Sequence, residues 1–383
     1  MFDELEDEGI DVPKEYRFYP YRATYDIETM FKPADKERSA KLEWINQHVL
    51  LSISVCSKVP DFKEPKCFVA NEDTDIVAEC LEYLTDISRS ASLLLQGQYA
   101  PTFYRLKAKI DRDLDKDHVP TEEREKKRKG HYLYPLEQKL DRYIQELPVI
   151  GFNSGKYDIN AMKIDFFTHL AERNLVKFAV KRNNNFMCVK TQRLKFLDIT
   201  NYLAPGYSYA QFLKAYGCTE EKGFFPYEWM TSLDKLQHSR LPPHDAFYSS
   251  LKNENISVQD YQFCLGVWEQ KRMSSVKDFL VWYNNKDVEP MLEAIDKMYA
   301  FYQNRNIDMF KDGISVPGLT LKYMFQGLDD FFSLADERNK DVYRLLKDNI
   351  TGGASLVFHR YHEKTSPPSV PQNTTIRNSV KRS

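Results

Sequence analysis

Four carboxylates in three well-separated segments have the chemistry of a divalent-metal site. Asp26 and Glu28 lie in a Tyr-Asp-Ile-Glu-Thr segment. Asp158 closes an Asn-Ser-Gly-Lys-Tyr-Asp segment, and Asp287 follows Tyr283 by four residues. Carboxylate oxygens are the hard donors that Mg²⁺ and Mn²⁺ prefer, and two such ions can hydrolyse a phosphodiester by in-line displacement. If the fold brings the segments together, the sequence predicts a phosphodiester-cleaving metal site.

The first pair of carboxylates requires a strand. Residues 18–29 are rich in aromatic and β-branched types, which predicts a strand whose paired part begins after Pro20. Asp26 and Glu28 are two residues apart, so they project from the same face of that strand. Two bare carboxylates on a buried strand are costly without a cation. The alternative, an ordinary acidic strand end, stays open for this motif alone.

The other carboxylates are expected at a strand end and on a helix. Residues 147–152 form an apolar run that predicts a buried strand, and the segment after it has helical spacing. Asp158 then begins a helix, where an aspartate can also act simply as a cap. Tyr283 and Asp287 share one face of a helical region predicted over 258–304, with one break. Such a pair is common on helices that have no special function.

The surrounding pattern predicts an α/β domain. Strands are expected over 49–55 and 66–70, and an apolar stripe predicts a helix over 75–95. Three more strand-like runs lie within 178–200. The Asn-rich turn at Asn183 indicates a hairpin between the first two of them.

Three segments are expected to differ from this ordered domain. Residues 1–17 are acidic and are predicted to be weakly ordered. Residues 101–135 form a charged insertion, which is either a solvated segment or a phosphate-contacting patch. Residues 364–383 are rich in Pro, Ser, Asn and Thr, which predicts disorder.

Composition limits the compartment and the mode of nucleic-acid binding. The 383-residue chain has a formal net charge of -2, so any DNA contact must use local basic patches. Its six cysteines form no Cys-x-x-Cys pair, which favours a reduced compartment and argues against zinc. The N-terminus is unlike a signal peptide, and no apolar run reaches membrane-spanning length. We therefore expect a soluble intracellular protein, in the nucleus or at a viral replication site.

The order of the three acidic motifs resembles that of the exonuclease motifs in the proofreading domain of family-B DNA polymerases. The resemblance is closest to the protein-primed branch, which includes adenovirus-type and Polinton-type polymerases. Residues 222–227 are typical of that branch, and residues 350–362, with Gly352 and Gly353, are similar to its link to the polymerase domain. The resemblance covers 18–363. It implies a ribonuclease-H-like mixed sheet flanked by helices, with a helical C-terminal extension.

The resemblance also implies a role for each residue of the acidic motifs. Asp26 would bridge two Mg²⁺ or Mn²⁺ ions. Glu28 and Asp287 would hold the ion that activates the attacking water, and Asp158 would support the second ion. Tyr283 would orient the water or the scissile phosphate.

Five further residues are implied as DNA contacts. Asn153 would contact the 3′-terminal nucleotide. The family usually has Leu after Ser or Thr in a segment that binds single strands, whereas here Tyr209 follows Ser208. Core packing of this segment and a solvated lysine at position 222 are the alternatives. The complete set of implied contacts is Asn153, Tyr157, Ser208, Phe212 and Lys222.

The polymerase half of the family has its own catalytic carboxylates, and their motifs do not occur in this sequence. We therefore expect the N-terminal exonuclease part of a protein-primed family-B DNA-directed DNA polymerase, with 3′→5′ hydrolysis of DNA by two metal ions. One alternative is a catalytically silent DNA- or protein-binding remnant of a mobile-element polymerase. Another is a free-standing ribonuclease-H-like nuclease.

This interpretation sets the expected domain boundaries and partners. After the acidic segment 1–17, the exonuclease domain is expected over 18–305, the start of the connection to a polymerase domain over 306–363, and the tail from residue 364. The expected partner is the 3′ end of single-stranded DNA, and a terminal protein primer is the further partner implied by the resemblance. A monomer with no membrane contact is expected.

Overall fold

The structure is a computed structural model that describes residues 1–33, 38–39, 42–43, 46–172, 176–218, 223–328 and 339–349. Within these ranges the strands are β1 (Ala23–Pro33), β2 (Arg38–Ser39), β3 (Leu42–Glu43), β4 (Asn46–Ser57), β5 (Lys66–Val69), β6 (Leu147–Gly151), β7 (Phe178–Arg182), β8 (Asn185–Lys190) and β9 (Leu194–Asp198).

The α-helices of the described part are α1 (Phe2–Asp7), α2 (Ile76–Lys116), α3 (Arg124–Lys129), α4 (Tyr134–Gln145), α5 (Asp158–Ala161), α6 (Lys163–Glu172), α7 (Tyr209–Ala215), α8 (Val258–Gln270), α9 (Val276–Gln303), α10 (Val316–Phe325) and α11 (Lys340–Asp348).

Seven strands form one mixed sheet in the order β5-β4-β1-β6-β9-β8-β7, which confirms the α/β prediction. β1 pairs antiparallel with β4 and parallel with β6, so it is a central strand. β6 and β9 are also parallel, and Gly151 at the end of β6 pairs with Asp198 at the end of β9. Because parallel strands end at the same edge of a sheet, the segments that follow β6 and β9 meet there.

The two faces of β1 differ in polarity because successive side chains alternate. Tyr25 and Ile27 are buried in an apolar cluster that includes residues of α2 and α4. On the opposite face, the Thr24 hydroxyl donates to the Val288 carbonyl of α9 at 2.8 Å. Thr24, Asp26 and Glu28 alternate with the buried apolar residues, as the period of a strand requires. Helix α9 therefore packs against the face of β1 that carries the two acids.

The N-terminal segment is more ordered than its acidic composition indicates. Residues 2–7 form α1, and Leu5, Ile10 and Val12 are buried in the apolar cluster that contains α2. Burial of these three apolar side chains stabilises an ordered N-terminal segment despite its acidic composition. The prediction that residues 1–17 are weakly ordered is therefore wrong.

The charged insertion begins later than predicted, because α2 continues through Pro101 to Lys116. Tyr99, Leu106 and Ile110 are buried and extend the apolar stripe of the helix beyond residue 95. The spacing of these residues follows the helical period. The high charge of this segment and Pro101 both argue against a helix, so the sequence pattern predicted that the helix ends earlier.

Two compact units are present, Met1–Gly327 and Leu328–Ser383. The first includes residues 306–327, where Ile307, Phe310 and Leu319 are buried in an apolar cluster. In the second, α11 has four exposed large apolar side chains, Val342, Tyr343, Leu345 and Leu346. The predicted Gly-Gly segment at 352–353 and the predicted disordered tail lie outside the described residues.

Among the described helices, none combines the length and the apolar composition that crossing a membrane requires.

Candidate functional site

The structure brings three of the four predicted carboxylates together. Asp26, Glu28 and Asp287 each offer a carboxylate oxygen, and these oxygens lie within 4.8 Å of one another. Two of the acids come from the central strand β1 and the third from α9. Glu28 is 5% exposed and Asp287 is 3% exposed, so the cluster is largely removed from water.

A polar layer between the sheet and α9 holds Asp26. The Asn284 amide nitrogen donates to Asp26 Oδ2 at 3.2 Å, and the Asn284 amide oxygen accepts from the Ser52 hydroxyl at 3.2 Å. Asn284 is fully buried. The neighbouring Ser54, which pairs with Asp26 across β1 and β4, donates to the Asn285 side chain at 2.8 Å. Small hydroxyl side chains on β4 therefore leave room for the amides of α9 to reach the acidic strand.

Two tyrosines connect to Glu28. The Tyr227 hydroxyl lies 2.7 Å from Glu28 Oε2 and 3.0 Å from the Tyr283 hydroxyl. A carboxylate accepts hydrogen bonds only, so the single Tyr227 proton goes to Glu28, and Tyr283 donates to the Tyr227 oxygen. Burial and then the nearby Glu28 charge raise the pKa of Tyr227 well above its ordinary value, which keeps the donor protonated at neutral pH.

The second motif is shaped by a buried aspartate that sequence reasoning missed. Asp198 is 1% exposed and accepts from the backbone N–H groups of Asn153 at 3.0 Å and Gly155 at 3.1 Å. It also accepts from the Thr200 hydroxyl at 2.6 Å. Burial raises the pKa of the Asp198 carboxyl, and these hydrogen bonds oppose that shift. Asp198 thereby ties the turn after β6 to the end of β9.

The turn of the second motif needs a glycine. A Cβ atom on Gly155 would lie 2.0 Å from the Phe186 carbonyl oxygen of β8. The Gly155 carbonyl accepts from the Phe186 N–H at 2.9 Å, so the two backbones are in direct contact. Asn153 has a positive φ of 56°, a conformation that asparagine tolerates better than most residues. This turn leads into α5, which begins at Asp158.

Asp158 is 7% exposed and does not belong to the group of three acids with mutual distances of 4.8 Å or less. The expectation of four carboxylates at one point is therefore met by three. In two-metal sites the ions lie about 3.5–4 Å apart, so an acid that supports only the second ion can stand outside the tight group.

Of the predicted DNA contacts, Tyr157 has an exposed ring. Its side chain is 58% exposed, and Lys156 Nζ lies 5.2 Å from the ring centroid. Asn153 precedes it in the same turn. Ser208 is exposed but acts as the N-cap of α7, where its side chain accepts from the Gln211 N–H in a capping box. Lys222 lies outside the described residues.

The prediction that Phe212 contacts DNA is wrong. Its ring is fully buried, packs 6.1 Å from the Phe152 ring, and has no surface on which a base could stack. In the same segment, the Tyr209 hydroxyl donates to the Asp287 backbone carbonyl at 2.6 Å. The segment therefore connects α7 to the acidic site by packing and a hydrogen bond, as the alternative of core packing predicted.

Local sequence patterns contain signals for some of the further site residues. Asn284 is part of the third acidic segment, directly after Tyr283, although an amide side chain on a helix has no distinctive pattern of its own. Asp198 is the last residue of the buried strand β9, at the sheet edge where the second motif follows β6. Tyr227 lies in a loop, and its contact with Glu28 joins residues 199 positions apart, which local patterns cannot predict.

The donor set fits Mg²⁺ or Mn²⁺, because it consists of carboxylates from two rigid elements in a largely buried position. Three acids of like charge at such distances repel one another, and a bound cation would offset that repulsion. No histidine or cysteine belongs to this group in the described part of the chain, which fits a hard cation better than zinc.

Compared with known proteins, the chain matches no family model, and no curated protein is significantly similar to it.

Proposed function

We propose that this protein is a metal-dependent 3′→5′ exonuclease that acts on single-stranded DNA. The observation that carries the proposal is the group of Asp26, Glu28 and Asp287, with oxygens within 4.8 Å of one another on a central strand and a long helix. Asp26, Glu28 and Asp287 would hold one ion, and Asp158 with Asp26 a second. When bound, the ions supply an activated water and stabilise the charge that develops on the attacking and leaving oxygens.

The remaining residues of the site orient these ligands. Tyr227 fixes one oxygen of Glu28, and Asn284 fixes one oxygen of Asp26. Tyr283 is held by Tyr227 at the edge of the acidic group, where its hydroxyl can exchange this partner for a phosphate oxygen or a water. Glu28 and Asp26 are thus each held by a second side chain, a feature that metal sites commonly share.

The exposed Tyr157 ring supplies a surface for the DNA. Aromatic rings bind unpaired bases by stacking, which contributes roughly 1–3 kcal/mol per base without sequence preference. Tyr157 directly precedes Asp158, so a base stacked there would lie next to the acid proposed to support the second ion. The adjacent Lys156 provides a positive charge for the phosphate backbone. These features favour a single-stranded end over a duplex.

Our proposal includes a ribonuclease-H-like fold and an origin in the protein-primed branch of family-B DNA polymerases. A seven-stranded mixed sheet flanked by helices, with acids on its central strand, supports the fold. The order of the three acidic motifs supports the family. A catalytically silent remnant and a free-standing nuclease are the alternatives, and the first of them predicts neither metal binding nor cleavage.

The test is the degradation of a 5′-labelled single-stranded oligonucleotide by the purified chain with Mg²⁺ or Mn²⁺. The expected result is a ladder that shortens from the 3′ end with release of mononucleotides. Asp26→Ala combined with Asp158→Ala should abolish it. Unchanged release by the double variant would overturn the assignment of the site.

A further inference from the structure

A second polar site lies at the opposite end of the sheet from the acidic group. A cavity of about 340 Å³ is lined by residues of α1, α4, β8, α10 and the segment after α9. Glu146, which lines it, directly precedes β6, whereas the second acidic motif follows the other end of that strand. A strand rises about 3.3 Å per residue, so the five residues of β6 separate the two sites by roughly 15 Å.

The cavity carries an excess of positive charge in a chain that is nearly neutral. Four acidic side chains line it, Asp3, Glu146, Asp308 and Asp312. Six basic side chains also line it, Arg17, Lys139, Arg142, Lys190, Lys311 and Lys322. The whole chain has a formal net charge of -2, so this local excess of basic groups over acidic ones is a feature of the cavity.

The acids at the floor already have partners within the protein. Glu146 is 7% exposed on its side chain and is ion-paired with Lys190 and with Lys311. Asp308 accepts from the backbone N–H groups of Tyr19 at 2.7 Å and Lys311 at 3.1 Å. Glu146 and Asp308 thus already have partners within the protein.

Within the described residues, two cations that line the cavity are not ion-paired, although the Lys322 charge opposes the rise that burial causes in the pKa of Asp312. Arg17 pairs with Glu6 at 2.9 Å, and Lys139 pairs with Glu4. Arg142 and Lys322 are exposed, and neither forms an ion pair with a carboxylate in the part of the chain that the structure describes. The Arg142 Nε group donates to the Gln138 carbonyl at 3.1 Å, which fixes the direction of the guanidinium.

We propose that this basic cavity binds the dianionic phosphate of a small phosphate monoester through Arg142 and Lys322. A guanidinium matches two phosphate oxygens at once, and an ammonium adds a point charge. Arg142 and Lys322 together carry two positive charges, which match the charge of the dianion. The volume lies at the small end of the range for ligand sites, about 300–1,000 Å³, which suits a small ligand rather than a polymer.

The cavity also offers three aromatic rings. Phe2, Phe18 and Tyr143 line it and are half-buried, so part of each ring is accessible beside the cations. A nucleoside monophosphate would use these rings for its base, whereas inorganic phosphate would not. The phosphate chemistry is common to both ligands, and comparison of their affinities distinguishes them.

The test is calorimetric titration of the intact chain with inorganic phosphate, deoxyadenosine monophosphate and deoxyadenosine, without divalent ions. Under these conditions the acidic group repels phosphates, so binding there does not interfere and the result does not depend on the exonuclease proposal. We expect saturable binding of both phosphates and none of deoxyadenosine. If deoxyadenosine monophosphate binds more tightly than inorganic phosphate, the ligand is a nucleotide whose base contacts the rings. If the two bind equally, the cavity recognises the phosphate group alone.

Arg142→Gln should weaken phosphate binding at least tenfold, and Arg142→Gln combined with Lys322→Gln should abolish it. The matched control is Arg112→Gln, since Arg112 is an exposed arginine of α2 that does not line the cavity. Unchanged thermal midpoints would show that the variants are folded. The proposal is overturned if neither phosphate binds to the wild type, or if Arg142→Gln and Arg112→Gln bind phosphate equally.

Discussion

The Tyr227 hydroxyl donates a hydrogen bond of 2.7 Å to Glu28 Oε2, across 199 positions of sequence. It joins a loop to the central strand of the sheet and sets the orientation of one acid of the candidate metal site. The same hydroxyl accepts from Tyr283, 3.0 Å away, so a single loop residue organises an acid and a tyrosine of two different motifs.

Tyr227→Phe should therefore reduce the exonuclease rate about tenfold or more, since a hydrogen bond to a charged group contributes roughly 1.5–3 kcal/mol. The affinity for Mn²⁺ should fall as well, because Glu28 loses the donor that orients it. Rates over a range of Mn²⁺ concentrations measure both effects. Tyr248→Phe is the matched control, because the Tyr248 hydroxyl bonds to Asn253 in a surface loop. Equal rates for the two variants would show that Tyr227 has no role in the site.

Metal binding should stabilise the fold through Asp287. The buried acids repel one another without a cation, so saturating Mn²⁺ should raise the free energy of unfolding, by about 2.7 kcal/mol at a hundredfold excess over Kd. Asp287→Asn should lose most of this gain while being no less stable than the wild type in chelator. Thermal unfolding with and without Mn²⁺ measures the difference.

Glu289→Gln is the control for this measurement, because Glu289 is an exposed acid on the same helix, two residues from Asp287. It should keep the full stabilisation by Mn²⁺. A gain of the same size in Asp287→Asn would mean that the ion binds elsewhere.

Gly155→Ala should destabilise the second motif. The added methyl group would lie 2.0 Å from the Phe186 carbonyl oxygen, so the turn or β8 must move. We expect a loss of about 1–3 kcal/mol in the free energy of unfolding, which is the usual cost of overpacking, together with lower activity. Chemical denaturation measures the loss.

A second glycine provides the opposite expectation. Gly97 lies within α2, where a Cβ atom would meet nothing within 4 Å. Gly97→Ala should stabilise the protein by about 0.5–1 kcal/mol through helix propensity. Comparable losses in the two variants would show that the close approach at Gly155 does not govern stability.

Lys311 should make stability depend on pH in the alkaline range. Burial lowers its pKa to about 8 from the ordinary 10.5, against the opposing effect of Glu146 and Asp308, with Lys195 and Lys190 acting in the same direction as burial. Between these two pH values the unfolded chain holds more protons than the folded one, so the free energy of unfolding rises with pH. Relative to Lys311→Met, the wild type should gain up to about 1.4 kcal/mol per pH unit above pH 8. Parallel pH profiles would contradict the low pKa.

Local patterns predicted the elements that carry the acids. The aromatic and β-branched content of residues 18–29 predicted the strand that carries Asp26 and Glu28. The helical pattern over 258–304 predicted the helix that carries Asp287, and the asparagine-rich turn predicted the hairpin of β7 and β8. These features depend on local composition and periodicity, which are visible in a single sequence.

Other features depend on contacts between distant segments. The order of the strands, the burial of Phe212 and the bond between Tyr227 and Glu28 are decided by packing, and no local rule contains them. The continuation of α2 past Pro101 was visible in its apolar stripe but was masked by charge. The separation of Asp158 from the other three acids likewise needed the three-dimensional structure.

The most direct measurement of the central claim is the rate of mononucleotide release from a 5′-labelled single strand, with and without Mn²⁺. We predict that release proceeds from the 3′ end, needs the metal, and falls at least a hundredfold in Asp26→Asn combined with Glu28→Gln, whereas Glu289→Gln keeps the wild-type rate. Isosteric substitutions remove the charges that bind the ions and preserve the packing of β1. Release that is equally fast without metal, or in the double variant, would contradict the account.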